Sequence, residues 1–278
     1  MHIRRIASAI AACTLAATVS AHEFWLRPSD FNPQPGAIVG LHLELGDFDA
    51  GERYTRNPAH VREFVAFAPG DDAAHPIPGR PGSDPAGMVR VNSPGLYLAG
   101  YLSNPTTATI EAAIFNPYLE EKGLRHVITR RADTALTGAP ATERFSRAAK
   151  TIFAVGDPRA TDASGFDRRI GFPVELVPEA NPLTLAPDQA LPILLLVDGE
   201  PTADAQVTAW PAARPEDRIT LRTDQHGRVS FALPADGAWL IETVHMTELA
   251  NDPEAQWASI WASLTFELPA RATPVTGE

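Results

Sequence analysis

The sequence predicts a mostly β protein made of two antiparallel β-sandwich domains, with one or two short helices in the first. Three observations carry this expectation. Across 278 residues, 26 Pro and 19 Gly are spread without a repeating period, so the chain turns often. Between those turns lie short runs whose apolar residues alternate, the period of a half-buried strand. A hydrophobic share of 44% against 21% charged is too apolar for disorder and enough for real cores.

Met1 to Arg5 carries two positive charges, Ile6 to Val19 is an apolar run, and Val19-Ser20-Ala21 has the small-x-small pattern that signal peptidase cuts. Residues 1–21 therefore read as a secretory signal, and the short signal suggests a Gram-negative periplasm. Ile10-Ala11-Ala12-Cys13 also resembles a lipoprotein box, and Arg4-Arg5 a twin-arginine signal; the apolar run past Cys13 and the missing flanking motif speak against them. The run is too short to span a bilayer, and no later stretch approaches ~18 uninterrupted apolar residues.

Cleavage after Ala21 removes Arg4, Arg5, His2 and Cys13. The net charge of -11 then becomes 21 basic against 34 acidic residues, or -13, with no thiol left. So acidic a chain has no sequence-independent grip on nucleic acid, and without cysteine any metal must be held by nitrogen and oxygen, aided at most by a thioether.

The first domain, residues 22–170, opens with a strand over Ala37 to Leu45, with Val39, Leu41, Leu43 and Leu45 on one face and Ile38, Gly40, His42 and Glu44 on the other. Strands are expected over Glu63 to Ala68, Met88 to Val91, Gly95 to Leu102 and Thr107 to Ile114. Phe115 to Leu124, closed by Gly123, and Thr142 to Lys150, capped by Thr142, have the spacing of short helices. The turn-rich Asp157 to Gly171 reads as the link between domains.

The second domain, residues 171–270, is expected to hold seven strands: Phe172 to Val177, Leu191 to Val197, Ala205 to Trp210, Arg218 to Thr223, Arg228 to Leu233, Ala238 to His245 and Trp257 to Leu268. Asp198-Gly199 and His226-Gly227 supply tight turns. Residues 271–278 read as a frayed tail.

The run LLLVDGEPTADAQVTAW, followed by LRTDQHGRVSFALPADGAWLIETVHM, resembles the prealbumin-like or carboxypeptidase-regulatory type of immunoglobulin-like module, known by a DGxP turn and a TDxxGxxxF stretch. Over the mature chain, AHEFWLRP, FNPYLEEKGL, ERFSRAAK, VHM and WASIWASLTFEL resemble a family of secreted bacterial proteins of unknown function. Its members are often described as the periplasmic component of a cobalt or nickel transport system. The resemblance implies handling of a divalent transition metal, with an inner-membrane transporter as partner.

His22 is the sharpest candidate ligand. As the first residue of the mature chain, its free amine and imidazole would form a bidentate chelate suited to Cu(II), Ni(II) or Co(II). The arrangement is similar to the histidine brace of lytic polysaccharide monooxygenases and to the site of periplasmic copper-resistance proteins. His245 is the expected second imidazole, with Met246 beside it as a thioether, and the family resemblance matches this VHM position. His42 ranks third. His60, His75, His126 and His226 stand in turn-like or polar contexts that favour the surface. Glu175, inside the apolar run FPVELV, needs a cation or several donors if buried, and an arginine or a bound metal would serve.

Other constellations are weaker. Asp47-Phe-Asp49-Ala-Gly51 opens like a calcium loop, but Pro58 stands where an EF-hand needs its glutamate. No GxSxG, P-loop, GxGxxG or HExxH occurs, so no organic cofactor and no familiar enzyme class is implied. The expected function is thus a periplasmic binding protein for nickel, cobalt or copper that assists uptake or delivery. Two alternatives stay open: a glycan-binding or adhesion module using Trp25, Trp257 and Trp261, and a copper oxidase using the terminal brace.

Overall fold

The computed structural model describes residues 22–48, 50–159, 164–186 and 189–270. The expected signal (1–21), Asp49 of the acidic loop and the expected tail (271–278) lie outside the described residues. Strands β1 (Glu23–Pro28), β2 (Ile38–Gly46), β3 (Glu52–Tyr54), β4 (Val61–Phe67), β5 (His75–Pro76), β6 (Gly87–Arg90), β7 (Gly95–Ser103) and β8 (Thr106–Ile110) lead into helices α1 (Ala112–Glu121) and α2 (Arg125–Asp133). The long β9 (Ala141–Val155) follows, then β10 (Val174–Pro178), β11 (Leu191–Val197), β12 (Glu200–Pro201) and β13 (Gln206–Pro211). Last come β14 (Ile219–Arg222), β15 (Arg228–Phe231), β16 (Gly237–Glu248) and β17 (Trp257–Leu268). The protein is mostly β, as the alternating runs predict.

The strands form three sheets in layers. A nine-stranded sheet runs β14-β13-β16-β17-β9-β7-β4-β5, with β8 beside the first half of β9. Its two halves, one from each expected domain, are joined where β17 pairs in parallel with β9, Trp257 opposite Glu143 and Thr265 opposite Thr151. Residues 22–170 and 171–270 therefore share one continuous sheet. One face of it packs against β10, β11, β12 and β15 around Leu264, Phe266, Ile152, Leu191 and Trp239. The opposite face carries β1, β2, β3 and β6 over Tyr97, Tyr101, Ala149 and Phe153. Each fully buried Leu or Phe of these cores contributes about 1.5–3 kcal/mol.

The alternation in β2 does what its period dictates on the core side, where Val39, Leu41 and Leu43 are buried. The other face is partly covered too: His42 Nδ1 meets Asp84 Oδ1 at 2.6 Å, and Glu44 accepts from Trp25 Nε1 at 2.8 Å. Asp198 (φ 50°) and Gly199 (φ 84°) make the two-residue turn between β11 and β12 that their residue types favour. Asp224 caps its own turn, its Oδ1 accepting from His226 N at 2.8 Å and Arg228 N at 2.9 Å.

Two local expectations are corrected. Thr142 to Lys150 is no helix but the first half of β9. Its residues alternate between faces and gain a ladder on both sides, from β8 and β17, which outweighs a weak helical preference. The strand expected to reach Ile114 stops at Ile110, because α1 begins at Ala112 and buries Phe115, Tyr118 and Leu119 on one side. Gly123, at φ 62°, closes this helix as expected, and α2 follows without having been anticipated. Both helices cover the β16–β17 part of the central sheet, where Val127, Met246, Trp257 and Trp261 share a core with them.

Candidate functional site

The first described residue lies against the central sheet. Arg147 of β9 donates from Nη1 to the His22 carbonyl oxygen at 3.1 Å. Its guanidinium lies over Trp261, 4.4 Å from the ring centroid. Burial pulls the Arg147 pKa down to about 10, which still leaves it charged at neutral pH. His22 and Arg147 line a cavity of about 230 Å³ together with Phe24, Leu45, Phe145, Tyr101, Tyr54 and His60. Ser103, Asn104 and Thr106 complete it, so no carboxylate is among its lining residues.

His60 lies in a turn before β4, as its sequence context favours, but it is half-buried rather than exposed, with its ring stacked on Tyr54 at an interplanar angle of 14°. The Tyr54 hydroxyl and His60 Nδ1 are 2.7 Å apart, which leaves Nε2 for a ligand. A phenol oxygen on Nδ1 is the outer-shell partner that fixes the tautomer of a metal-bound imidazole. The main chain of His60 is clamped as well: its carbonyl accepts from Asn104 N at 2.8 Å and from the Tyr101 hydroxyl at 3.2 Å. Burial raises the Tyr54 pKa and pushes Tyr101 up to about 12, so both phenols stay protonated.

The other three residues picked from the sequence lie elsewhere. His245 pairs with Ile260, and Ile260 with Ser146. Directly paired residues share a face, so His245 projects with Ser146 from the side of the sheet opposite Arg147, the next residue of β9, and does not meet His22. Burial and nearby His126 pull its pKa below 6.5. Met246 projects from the other face but is enclosed with Phe115, Tyr118 and Trp257 under the helices. Glu175 is buried against Lys150, Oε2 to Nζ at 3.0 Å, and also accepts from the main-chain N–H of Ile170 at 3.0 Å and Gly171 at 2.8 Å. A lysine thus fills the place that an arginine or metal was expected to take.

Close to Arg147 lies a buried charged cluster, whose Glu143, Glu23 and Glu242 all act on the guanidinium. Lys122, at the end of α1, donates to Glu23 at 2.5 Å and to Glu242 at 2.9 Å. Burial alone would depress this lysine, but the two carboxylates hold it above its ordinary range. Glu143 accepts from Tyr118 at 3.1 Å and from Ser259, and burial raises its pKa. Trp25, Trp257 and Trp261 are all buried, so none of them offers a platform for a sugar ring.

Among the described residues, no group of three or more His, Cys, Asp and Glu side chains could hold a metal ion, and no helix is long and apolar enough to cross a membrane. A site at His22 therefore depends on a nitrogen that is not a side chain, the terminal amine.

Layered sheets with an aromatic cavity at one end define a β-sandwich type of protein. The chain belongs to the DUF4198 family, a domain of unknown function, whose family model matches residues 19–247. No curated protein matches the sequence. Among solved structures, dimeric latent PorU from Porphyromonas gingivalis is similar at 12% identity, over 90% of this chain and 21% of that one. Its TM-score of 0.18 is too low to carry an argument.

Proposed function

We propose that the mature protein binds a divalent transition metal, nickel, cobalt or copper, at a His22 terminus in the periplasm and passes it to an inner-membrane transporter. The observation that carries this reading is that His22 and His60 line one cavity, with Tyr54 set against Nδ1 of His60. Cleavage after Ala21 would free the His22 amine. Amine, His22 imidazole and His60 Nε2 then offer three neutral nitrogens, a donor set that suits these borderline ions. His60 replaces His245 as the second imidazole. The resemblance to proteins described as cobalt or nickel transport components agrees with this cargo, and an excess of acidic residues favours cations near the surface.

The test is calorimetric titration of Ni(II), Co(II) and Cu(II) into protein exported with its own signal and checked by mass for a His22 terminus. His60→Ala should weaken binding about tenfold or more. An unchanged isotherm for that variant, or no binding by wild type, overturns the reading.

A further inference from the structure

We propose that the cavity at His60 binds a small uncharged aromatic molecule bearing a hydroxyl group, of which a phenol is the simplest case. Such a ligand needs neither a bound metal nor a freed terminal amine, so it stands apart from the metal-binding reading. Lining, charge and size each narrow its chemistry.

The walls are mostly rings. Phe24, Tyr54, Tyr101 and Phe145 line the cavity together with Leu45. The protein itself holds these rings in place. Phe24 packs on Tyr101 with 5.5 Å between centroids, the Tyr101 hydroxyl donates to the His60 carbonyl at 3.2 Å, and Tyr54 is stacked on His60. Fixed aromatic walls favour an aromatic guest, which meets them edge-to-face or offset, over an aliphatic one of equal volume.

Charge selects against organic ions. Apart from the two imidazoles the lining has one basic side chain, Arg147, on which the carboxylates of Glu143, Glu23 and Glu242 act without themselves lining the cavity. Its charge is thus met from outside the cavity, and an entering anion finds no unbalanced cation to pair with. The guanidinium also lies over Phe24, Phe145 and Trp261, at 5.9, 5.5 and 4.4 Å from the ring centroids. An organic cation, which forms no coordinate bond to the imidazoles, is repelled by it. A neutral aromatic ring stacks on a guanidinium instead.

A dry apolar cavity of about 150 Å³ accepts benzene, so about 230 Å³ takes one ring with a small substituent. The hydroxyl follows from His60. Its Nδ1 is engaged by the Tyr54 hydroxyl at 2.7 Å, and Nε2 is then a donor or an acceptor according to the tautomer. A phenolic hydroxyl both donates and accepts, so it satisfies Nε2 in either form.

Titration of 4-fluorophenol into the mature protein at neutral pH in EDTA, followed by fluorine NMR, tests this. One molecule should bind saturably per chain, and phenol should displace it roughly fivefold or more better than cyclohexanol, benzoate or benzylamine. Thr106 is exposed and paired with Phe145 at the cavity edge, so Thr106→Phe should fold normally, fill the space and abolish binding. No saturable binding by the wild type, equal competition by any of those three compounds, or undiminished binding by Thr106→Phe overturns the proposal. If Thr106→Phe does not fold, the competition series decides. With EDTA present each of these outcomes is independent of Ni(II), and the metal reading stands or falls on its own titration.

Discussion

The His22 carbonyl and the Arg147 guanidinium are joined at 3.1 Å, so the residue before β1 is fixed to β9 in the middle of the central sheet. Arg147 is itself held half-buried over Trp261. A terminal chelate gains from such anchoring, because ordering a loose end is an entropic cost that binding would otherwise carry.

Since His245 projects from the opposite face, His245→Ala should leave Ni(II) and Cu(II) affinity within about twofold of wild type, whereas His60→Ala should not. A loss of tenfold or more on removing His245 would restore the pairing expected from sequence. The two titrations need only the same batch of metal.

His245 has a different effect, on acid stability. Its folded pKa lies below the unfolded 6.5, because burial disfavours the charged ring. Between those two values the unfolded chain binds more protons than the folded one. The stability present above 6.5 is therefore lost as pH falls towards the folded pKa. Urea unfolding at about pH 7.5 and about pH 5.5 should show a smaller acid loss for His245→Gln than for wild type. Equal losses would mean that the ring is solvated.

Lys150 and Glu175 form a buried pair, with side chains 2% and 4% exposed. Burial pulls the lysine pKa down, and Glu175 opposes the fall. Lys150→Met strands a buried carboxylate and should cost about 3–5 kcal/mol in denaturant unfolding. Glu175→Gln in that background should recover part of the loss, since its oxygen can still accept a main-chain N–H. A double mutant no more stable than Lys150→Met would contradict this.

Met246 is packed rather than poised as a ligand. Met246→Leu should cost less than about 1.5 kcal/mol. Met246→Ala should cost about 2–5 kcal/mol. Metal titrations of both variants should match wild type, and a weakened isotherm for the leucine variant would make the sulfur a ligand after all.

How much of this was legible differs from place to place. The face of β2 and the burial of the Trp-rich β17 follow from local patterns, which act over a few residues and are written in order. Thr142 to Lys150 misleads because its apolar spacing fits both periods, and only β8 and β17, the latter more than 100 residues on, decide between them. His60 was hidden for the same reason. Nothing in Asn57-Pro58-Ala59-His60 announces that the ring will stack on Tyr54 and share a cavity with a residue 38 positions earlier. One signal was available and unused. His245 and Met246 are adjacent on a strand, where successive side chains point to opposite faces, so both could not have turned to one ion.

The position of β17 also governs when this molecule can acquire its shape. The last of the described strands lies between β16 and β9, in the interior of the nine-stranded sheet. Residues 141–155 can complete their ladder only after a partner beginning at Trp257 has been synthesised. Such late, non-local closure makes folding slow and leaves earlier strands with open edges until the chain is nearly finished. For a chain exported unfolded, as the sequence leads one to expect, that delay would be an asset, because the fold cannot lock before β17 has emerged.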